Sequence, residues 1–427
     1  MIEPAAWATV LMKSPQQLTL RDKVWRYKSE GNANVVLSVP ADGTVVRVMK
    51  DETDDGGGET AAAVAAETLS VRLRFCDAVR RSFFADSRHV DVPVPMRVAA
   101  DELREIDRLV RPHRPPGRKH KGLGWAGCLV AVCPDYTTLP PTDVPGVWCV
   151  EIKPKQGWVH EEDRACGPGG VRVKCPFCAH QYLKLCRGDV RRPSGYCPLD
   201  MFSGRRERVR RSVRALLRDP QNNLKLFLDG EPLVAPDDGF GDAASEALGD
   251  VPRFCALVAG ALLGDYEDGG RNAPVMDGRD DTDTGRITAA ASGALPCDFR
   301  AVPMPRHCVL HEILTMQRMQ TAGFAAVCSE YDNGLRLSRD PHQFGHVDRM
   351  RPDGGDDAVA WSPVDGYLVA ATARDCSVFV TFRGPGSSTP AVRVKVSDLD
   401  PKPLSTVDKH RIRDAKVSLA CQRYSVG

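Results

Sequence analysis

Residues 147–158 read Val147-Trp148-Cys149-Val150-Glu151-Ile152-Lys153-Pro154-Lys155-Gln156-Gly157-Trp158, and this run decides the reading of the whole chain. Its first four residues are apolar, which suits a strand buried on both faces. Strand alternation then places Glu151, Lys153 and Lys155 on one face at the end of that strand. Pro154 donates no ladder hydrogen bond, so it marks a strand end or an edge. Two ammonium groups held side by side at the end of a sheet suit a ligand carrying many negative charges. By spacing alone a solvated edge strand guarded by lysines is the readier reading.

The chain is 427 residues long, which exceeds one ordinary core and predicts two lobes. Its hydrophobic share of 42%, charged share of 27% and formal net charge of +2 describe a soluble globular protein with no overall field toward nucleic acid or membrane. The positive charge concentrates instead in Arg111–Lys121 and Arg205–Arg218. No apolar run reaches bilayer length, and Met1-Ile2-Glu3-Pro4 lacks the pattern of a secretory signal. Fifteen cysteines without such a signal predict a reducing compartment, cytoplasm or nucleus.

Outward from the opening run, Lys23–Ser29, Asn34–Val39 and Thr44–Lys50 form a predicted antiparallel meander, joined at Glu30-Gly31-Asn32-Ala33 and Pro40-Ala41-Asp42-Gly43. Asp51–Gly58 reads as an acidic loop, Ala61–Ala85 as a helix, Arg111–Lys121 as a basic loop and Gly127–Cys133 as a strand. Ser203 is the expected N-cap of a helix to Arg218, stopped by Pro220. Ala235–Asp250 reads as a loop and 264–293 as a disordered insertion. Arg306–Thr321 returns to helix, Gly366–Phe382 reads as two β-runs around Ala373-Arg374-Asp375-Cys376, and Ala391–Val396 is a strand ending at Asp398.

A glycine in the first turn of a meander and a cation on its third strand, here Gly31 and Arg47, match the nucleotide-binding layout of kinase-like N-lobes. An ordinary hairpin fits the same residues. Asp375 and Asp398, each expected at the end of a β-run, have the chemistry to hold Mg²⁺ and to take a proton from a hydroxyl. Turn formation is their plainer role. Cys175-Pro176-Phe177-Cys178 has the C-x₂-C spacing of a zinc knuckle, with His160 or Cys166 and His180 as completing ligands. Free thiols packed in a reducing compartment are the alternative.

Six blocks occur in an order that resembles the inositol-pentakisphosphate 2-kinase family. They are Glu30-Gly31-Asn32-Ala33-Asn34, the unbroken E-I-K-P-K-x-G of Glu151–Gly157, Tyr196–Gly204, Pro220–Leu224, Ala371–Ser377 and Asp398–Pro403. The resemblance implies an α+β, two-lobed inositol-phosphate-kinase fold distantly like protein kinases, with an antiparallel sheet and surrounding helices in each lobe. The N-lobe would span 1–134 and the C-lobe 135–427. It implies transfer of the ATP γ-phosphoryl group to the 2-hydroxyl of inositol pentakisphosphate, with Mg²⁺, by a monomer that needs no membrane or nucleic acid.

By position, the resemblance puts Gly31, Asn32, Asn34 and Arg47 at the nucleotide phosphates, Cys133 to Asp135 at a hinge holding adenine, and Glu151 facing the nucleotide. Lys153, Lys155, Lys184, Asn222, Asn223 and Lys402 match substrate-phosphate positions, and Arg118 matches a clamping arginine from the N-lobe. Asp375 matches the residue that activates the hydroxyl, with Lys153 assisting, and Asp398 matches a metal-binding aspartate. Departures from the family pattern fall at Asp51, Glu52, Pro176, Thr406 and His410, which bear on the grip of particular phosphates. The late zinc site of plant members lacks paired ligands around Cys328 and His342, so Cys175 and Cys178 are the better zinc candidates.

Two rival readings remain on the sequence. Arg205–Arg218 with the cysteine cluster fits a nucleic-acid-binding module, though aromatics for base stacking are not interleaved. A degenerate scaffold kinase fits less well, because Lys153, Lys155, Asp375 and Asp398 are all retained.

Overall fold

The computed structural model describes residues 15–51, 59–85, 87–124, 128–140, 146–164, 174–266, 297–337, 346–347, 350, 361–384 and 391–425. The acidic loop at 52–58, Cys166, His342 and almost all of the expected 264–293 insertion lie outside the described residues.

Two sheets organise the chain. In the first, β1 (Gln16–Gln17), β2 (Arg26–Glu30), β3 (Asn34–Val39), β4 (Thr44–Asp51), β5 (Val94–Arg97) and β7 (Leu129–Pro134) run in the order β1-β5-β7-β4-β3-β2, with β6 (Gly122–Leu123) pairing the end of β4. The expected meander is β2 to β4. Alternation in β3 buries Val35, Leu37 and Val39 against Val46 and Val48 of β4, which is why one face of this sheet has its own core.

The second sheet holds β8 (Val147–Ile152), β9 (Leu224–Leu228), β10 (Glu231–Pro232), β11 (Ser377–Arg383) and β12 (Arg393–Ser397) in the order β10-β9-β8-β11-β12, all antiparallel. The opening run supplies β8, the central strand, and all six of its residues are buried. It is not an edge. Its neighbours are fixed by register, with Glu151 opposite Phe379 on one side and Lys225 on the other.

Helix α1 (Glu59–Phe83) joins the two halves. Leu69 and Leu73 pack on Leu129 and Ala131 of the first sheet, while Phe75 and Val79 enter the core of the second. Buried polar ties cross the same boundary: Lys28 Nζ lies 2.7 Å from Asp135, and His89 Nδ1 lies 2.7 Å from Glu312. After α2 (Ala100–Val110), the basic stretch 111–121 forms two short 3₁₀ turns, in keeping with its prolines. The C-terminal half adds α3 (Glu161–Arg164), α4 (Pro176–Arg187), α5 (Pro198–Met201), α6 (Arg206–Arg218), α7 (Gly241–Leu248), α8 (Val251–Leu262), α9 (Val309–Gln317), α10 (Phe324–Leu337), α11 (Pro363–Ala373) and α12 (Thr406–Ser425). Among the described residues no helix is long and apolar enough to cross a membrane.

Four local expectations need correction. The first β-run expected in Gly366–Phe382 is instead helix α11. Ser362 caps it by accepting from the Asp365 N–H, Pro363 occupies its first turn, and its alanines are good helix formers buried all round, so no polar period betrayed the helix. Asp375 therefore follows a helix, not a strand. Part of the expected loop 235–250 is α7, whose Ala244 and Ala247 pack inward. Ser203 does not cap α6: the N-cap is Arg205, and Ser203 Oγ accepts from the Arg205 N–H while donating to the Asp200 carbonyl. The basic face of α6 is partly spent internally, because Arg208 is buried and bonds Asp200 at 2.6 Å and the Asp298 carbonyl at 2.8 Å.

Gly366 tests the helical reading. A Cβ there would lie 2.2 Å from the Met319 carbonyl oxygen, a backbone atom. Gly366→Ala is expected to destabilise the protein by about 1–3 kcal/mol in denaturant titration. Gly334→Ala, where a Cβ meets nothing within 4 Å, is expected to stabilise by up to about 1 kcal/mol. A neutral Gly366→Ala would contradict the close approach.

Candidate functional site

The β8 strand ends at Ile152, and Lys153 stays in line only because its N–H bonds the Asn223 carbonyl at 2.9 Å. Alternation holds for Glu151 and Lys153, whose side chains reach the same group. Lys153 Nζ lies 3.2 Å from Asp398, and Ser377 Oγ bridges Asp398 at 3.0 Å and Glu151 at 2.9 Å. Lys225 contacts the other Glu151 oxygen at 3.3 Å.

Alternation does not extend to Lys155. Its backbone is left-handed at φ 61°, so the chain has turned out of the strand and the side chain reaches a different carboxylate. Lys155 Nζ is 3.1 Å from one oxygen of Asp375, and Lys402 Nζ is 2.8 Å from the other. The turn is held from three sides. Gln317, fully buried, donates to the Lys155 carbonyl and accepts from the Gly157 N–H, both at 2.8 Å. Tyr196 Oη donates to the Pro154 carbonyl at 2.7 Å. Gly157 has no room for a side chain, since a Cβ would sit 2.0 Å from the ring of the buried Phe202. The glycine of E-I-K-P-K-x-G is thus required by Phe202, part of the third sequence block.

Asp398 is also left-handed, at φ 62°, and Gln221 beside Asn222 and Asn223 has φ 44°. Three of the five non-glycine residues with positive φ among the described residues therefore cluster here, as strain does at functional sites. The Asp375 side chain is about half exposed; its partial desolvation would raise the carboxyl, but Lys402 and Lys155 overcome this and hold it well below the usual carboxylate range. For Asp398 burial is likewise outweighed, by Arg47 and Lys153, so this carboxyl too is lowered. Lys153 is raised: burial pulls it down, and Asp398 and Glu151 more than compensate. Lys184, which donates to Gln221 at 2.7 Å, is lowered by burial and by Lys155.

Between the sheets opens a narrow, solvent-open cleft. Its walls are apolar, with Leu69, Leu73, Leu129, Val130 and Leu399, and Arg47, Asp398 and Asp400 project into one end. Arg47 contacts Ser397 Oγ and lies 3.6 Å from Asp398, yet its buried Nε has no partner among the described residues. Asn34 lines the same cleft, as does Cys133 at the end of β7, while the Asp135 carboxylate is occupied by Lys28 and Thr137. Nδ2 and Oδ1 of Asn223, a residue 2% exposed, are both unpartnered, and Asn222 beside it is exposed. Unpaired buried donors and acceptors are costly, so these atoms fit a polar ligand.

Gly31 and Asn32 form the exposed turn between β2 and β3. The Gly31 N–H bonds the Asn34 carbonyl at 2.9 Å, and Lys50 Nζ holds the Gly31 carbonyl at 2.8 Å. Arg118 donates to the Glu30 carbonyl, and Arg114 and Lys50 pair with the Glu30 carboxylate. In this state Arg118 belongs to the glycine turn, and its bond is to the first sheet.

The zinc expectation is half corrected. Cys175 and Cys178 do cluster with further sulfurs, but these are Cys197 and Cys297, all four ligand atoms lying within 4.8 Å of one another. His160 faces Trp158 and Glu162 instead, and the half-buried His180 lies outside the group. Sequence spacing could not find Cys297, which is 119 positions from Cys178.

Sequence reasoning also missed Ser377, Gln317 and Asp400. Ser377 stood inside a recognised block, and its place opposite Ser397 at the start of β11 is the signal that locates it beside Asp398. Gln317 gives none, being one polar residue on a buried helix. What the assembled groups can do is bind polyanions and accept a proton beside an apolar cleft.

Known proteins agree with this architecture. The family described as inositol-pentakisphosphate 2-kinase matches residues 27–416, which takes in the second sheet, the first sheet apart from β1 and Arg26, and every group above. An inositol-pentakisphosphate 2-kinase of Danio rerio is 26% identical over 459 aligned positions, covering 92% of each chain. One of Arabidopsis thaliana is 25% identical over 447, again covering 92% of each. With five of the six blocks in contact around Glu151–Gly157 and the match running through both halves, the chain belongs to the inositol-pentakisphosphate 2-kinase family.

Proposed function

We propose that the protein transfers the γ-phosphoryl group of ATP to the 2-hydroxyl of inositol 1,3,4,5,6-pentakisphosphate, giving inositol hexakisphosphate and ADP. The observation that carries the reading is the pair of lysine–carboxylate groups at one end of the cleft: Lys153 on Asp398, and Lys155 with Lys402 on Asp375. Five phosphomonoesters carry roughly −8 to −10 charges near neutral pH. A site for such a ligand needs many cations, and without the ligand those cations need counter-charges. Both conditions are met here.

In this reading the adenine occupies the apolar part of the cleft near Cys133, with Asp135 at the hinge. The phosphates run toward Gly31, Asn32, Asn34 and the unpartnered Nε of Arg47. Glu151 faces the nucleotide end through Ser377. The hard oxygens of Asp398 and Asp400 at that end fit Mg²⁺, with Asp375 close by; bound there, the ion would neutralise charge on the transferring phosphoryl group. Lys153, Lys155, Lys184, Lys402, Asn222 and Asn223 hold the inositol phosphates.

Asp375 takes the proton of the 2-hydroxyl as its oxygen bonds the γ-phosphorus and the bond to ADP breaks. In the free protein Asp375 is too weak a base for this, because two lysines depress it. Substrate phosphates compete for the same lysines and so restore its basicity as they bind. Arg118 would leave the Glu30 carbonyl for a substrate phosphate, drawing the first sheet over the ligand. Positioning and charge stabilisation supply most of the remaining rate.

The direct test incubates the protein with Mg-ATP and individual inositol phosphates and separates the products. Conversion of the pentakisphosphate bearing a free 2-hydroxyl is expected, and its absence would sink the proposal. Asp375→Asn is expected to lower kcat by about 10²–10⁴-fold. It should bind the pentakisphosphate as tightly as wild type or tighter, because Lys155 and Lys402 no longer have a carboxylate to leave; weaker binding contradicts the competition. Lys153→Ala removes a charge-assisted contact of about 1.5–3 kcal/mol, so the substrate Kd should rise about ten- to a hundredfold.

Arg118→Ala separates two roles. The clamp predicts a KM for the inositol phosphate raised about tenfold or more with the KM for ATP unchanged. An effect on ATP alone would confine Arg118 to the glycine turn.

A further inference from the structure

We propose that Gln221 is a positioning residue that keeps Lys184 clear of any carboxylate and holds its ammonium group ready for an inositol phosphate. The inference rests on the reaction proposed above and concerns how its substrate is gripped. Lys153 lies on the Asp398 carboxylate, and Lys155 and Lys402 share that of Asp375. Lys184 differs. Its Nζ donates to Oε1 of Gln221 at 2.7 Å, and among the described residues no carboxylate pairs with it.

The surroundings fix which way the Gln221 amide points. Its Nε2 donates to Oε1 of Gln181 at 3.2 Å and to Oδ2 of Asp219 at 3.3 Å, so the carbonyl end is left for the ammonium group. Gln181 is 1% exposed, and its Oε1 also takes the Ser194 N–H at 3.2 Å, which anchors the acceptor that Gln221 uses. The backbone supports the same role. At φ 44° Gln221 is left-handed, a conformation that asparagine and glycine adopt more readily, and its side-chain bonds oppose the strain. It opens the turn Pro220–Asn223, closed by the Asn223 N–H on the Pro220 carbonyl at 2.8 Å. Asn223 in turn accepts the Lys153 N–H at 2.9 Å. One residue thus ties the side chain of one substrate lysine to the backbone of another.

The consequence is energetic. A phosphate that takes Lys153, Lys155 or Lys402 displaces a carboxylate, whereas at Lys184 it displaces a neutral amide, the weaker acceptor. Burial and Lys155 lower the Lys184 ammonium and outweigh Asp219 and Asp189, so a phosphate arriving there relieves a charge that the empty site leaves under-compensated. Lys184 therefore contributes more to affinity for the inositol phosphate than Lys402 does.

The test is calorimetric binding of inositol 1,3,4,5,6-pentakisphosphate without ATP. Gln221→Asn suits the left-handed backbone but falls one methylene short of Lys184, so in thermal unfolding it should be as stable as wild type or more so. Its Kd is expected to rise about five- to tenfold. Gln221→Glu, of the same shape, gives Lys184 a carboxylate and should weaken binding at least as much. In a Lys184→Met background Gln221→Asn should change Kd by less than about twofold, because its effect runs through that ammonium group. Wild-type affinity in Gln221→Asn or Gln221→Glu, or losses that simply add in the double variant, would overturn the proposal while leaving the reaction standing. Wild-type protein that binds no pentakisphosphate would overturn both.

Discussion

Cations gathered to receive a polyanion repel one another until that ligand arrives, and the second sheet is arranged around this constraint. Asp375 and Asp398 answer it by holding Lys155 and Lys402 in one case and Lys153 and Arg47 in the other. Removing either partner of such a pair leaves a charge uncompensated, which costs more than the pair contributes. The two carboxylates are therefore structural in the empty protein and, in the proposed reaction, become chemical only when the lysines have somewhere else to go. Arg47 extends the constraint across the cleft, because its contact with Ser397 and Asp398 ties the third strand of the first-sheet meander to the last strand of the second.

Such pairing works only if the lysines leave the strand at the right angle. Continued alternation would have set Lys155 beside Lys153 and given both the same carboxylate. The left-handed turn at Lys155 separates them, and a residue with a Cβ holds that conformation only where its neighbours leave no alternative. Here the neighbours are Gln317 on two backbone groups, Tyr196 on a third and Phe202 against Gly157. The motif is thus a turn locked by α9 and by the α5 segment more than a strand with a proline in it. The motif proline also has a place in this account, since its carbonyl is the one that Tyr196 holds.

The meander, the buried central strand and the lysine-bearing motif were legible because each is local: alternation in Asn34–Val39, an unbroken apolar run in Val147–Val150, and residues adjacent in sequence. The family resemblance rested on the same local blocks. Illegible features share a different property. Helix α11 is buried on all sides, so its apolar run Tyr367–Ala371 shows no period and could pass for a strand. Ser377, Gln317 and Cys297 act on partners far away in the chain, and nothing in their neighbours marks them. The error over Lys155 has the same origin, since a φ of 61° at a lysine is imposed by tertiary contacts that spacing does not encode.

Correcting Gly366–Ala373 from strand to helix changes the chemistry available to Asp375. An aspartate just beyond a helix C-terminus faces the negative end of the dipole, and the Asp375 N–H bonds the Thr372 carbonyl at 3.0 Å within that last turn. Dipole and the partial desolvation of this half-exposed side chain both favour the protonated carboxyl, each opposing the two lysines. An equally desolvated aspartate at a strand end would lack the dipole contribution, leaving partial desolvation alone to raise it when its lysines were drawn off. At the end of α11 the same withdrawal leaves partial desolvation and dipole acting unopposed, which would carry Asp375 toward the basicity that the proposed proton abstraction requires. In the proposed reaction the helix adds to the restoring force on Asp375, and the lysines set its resting position.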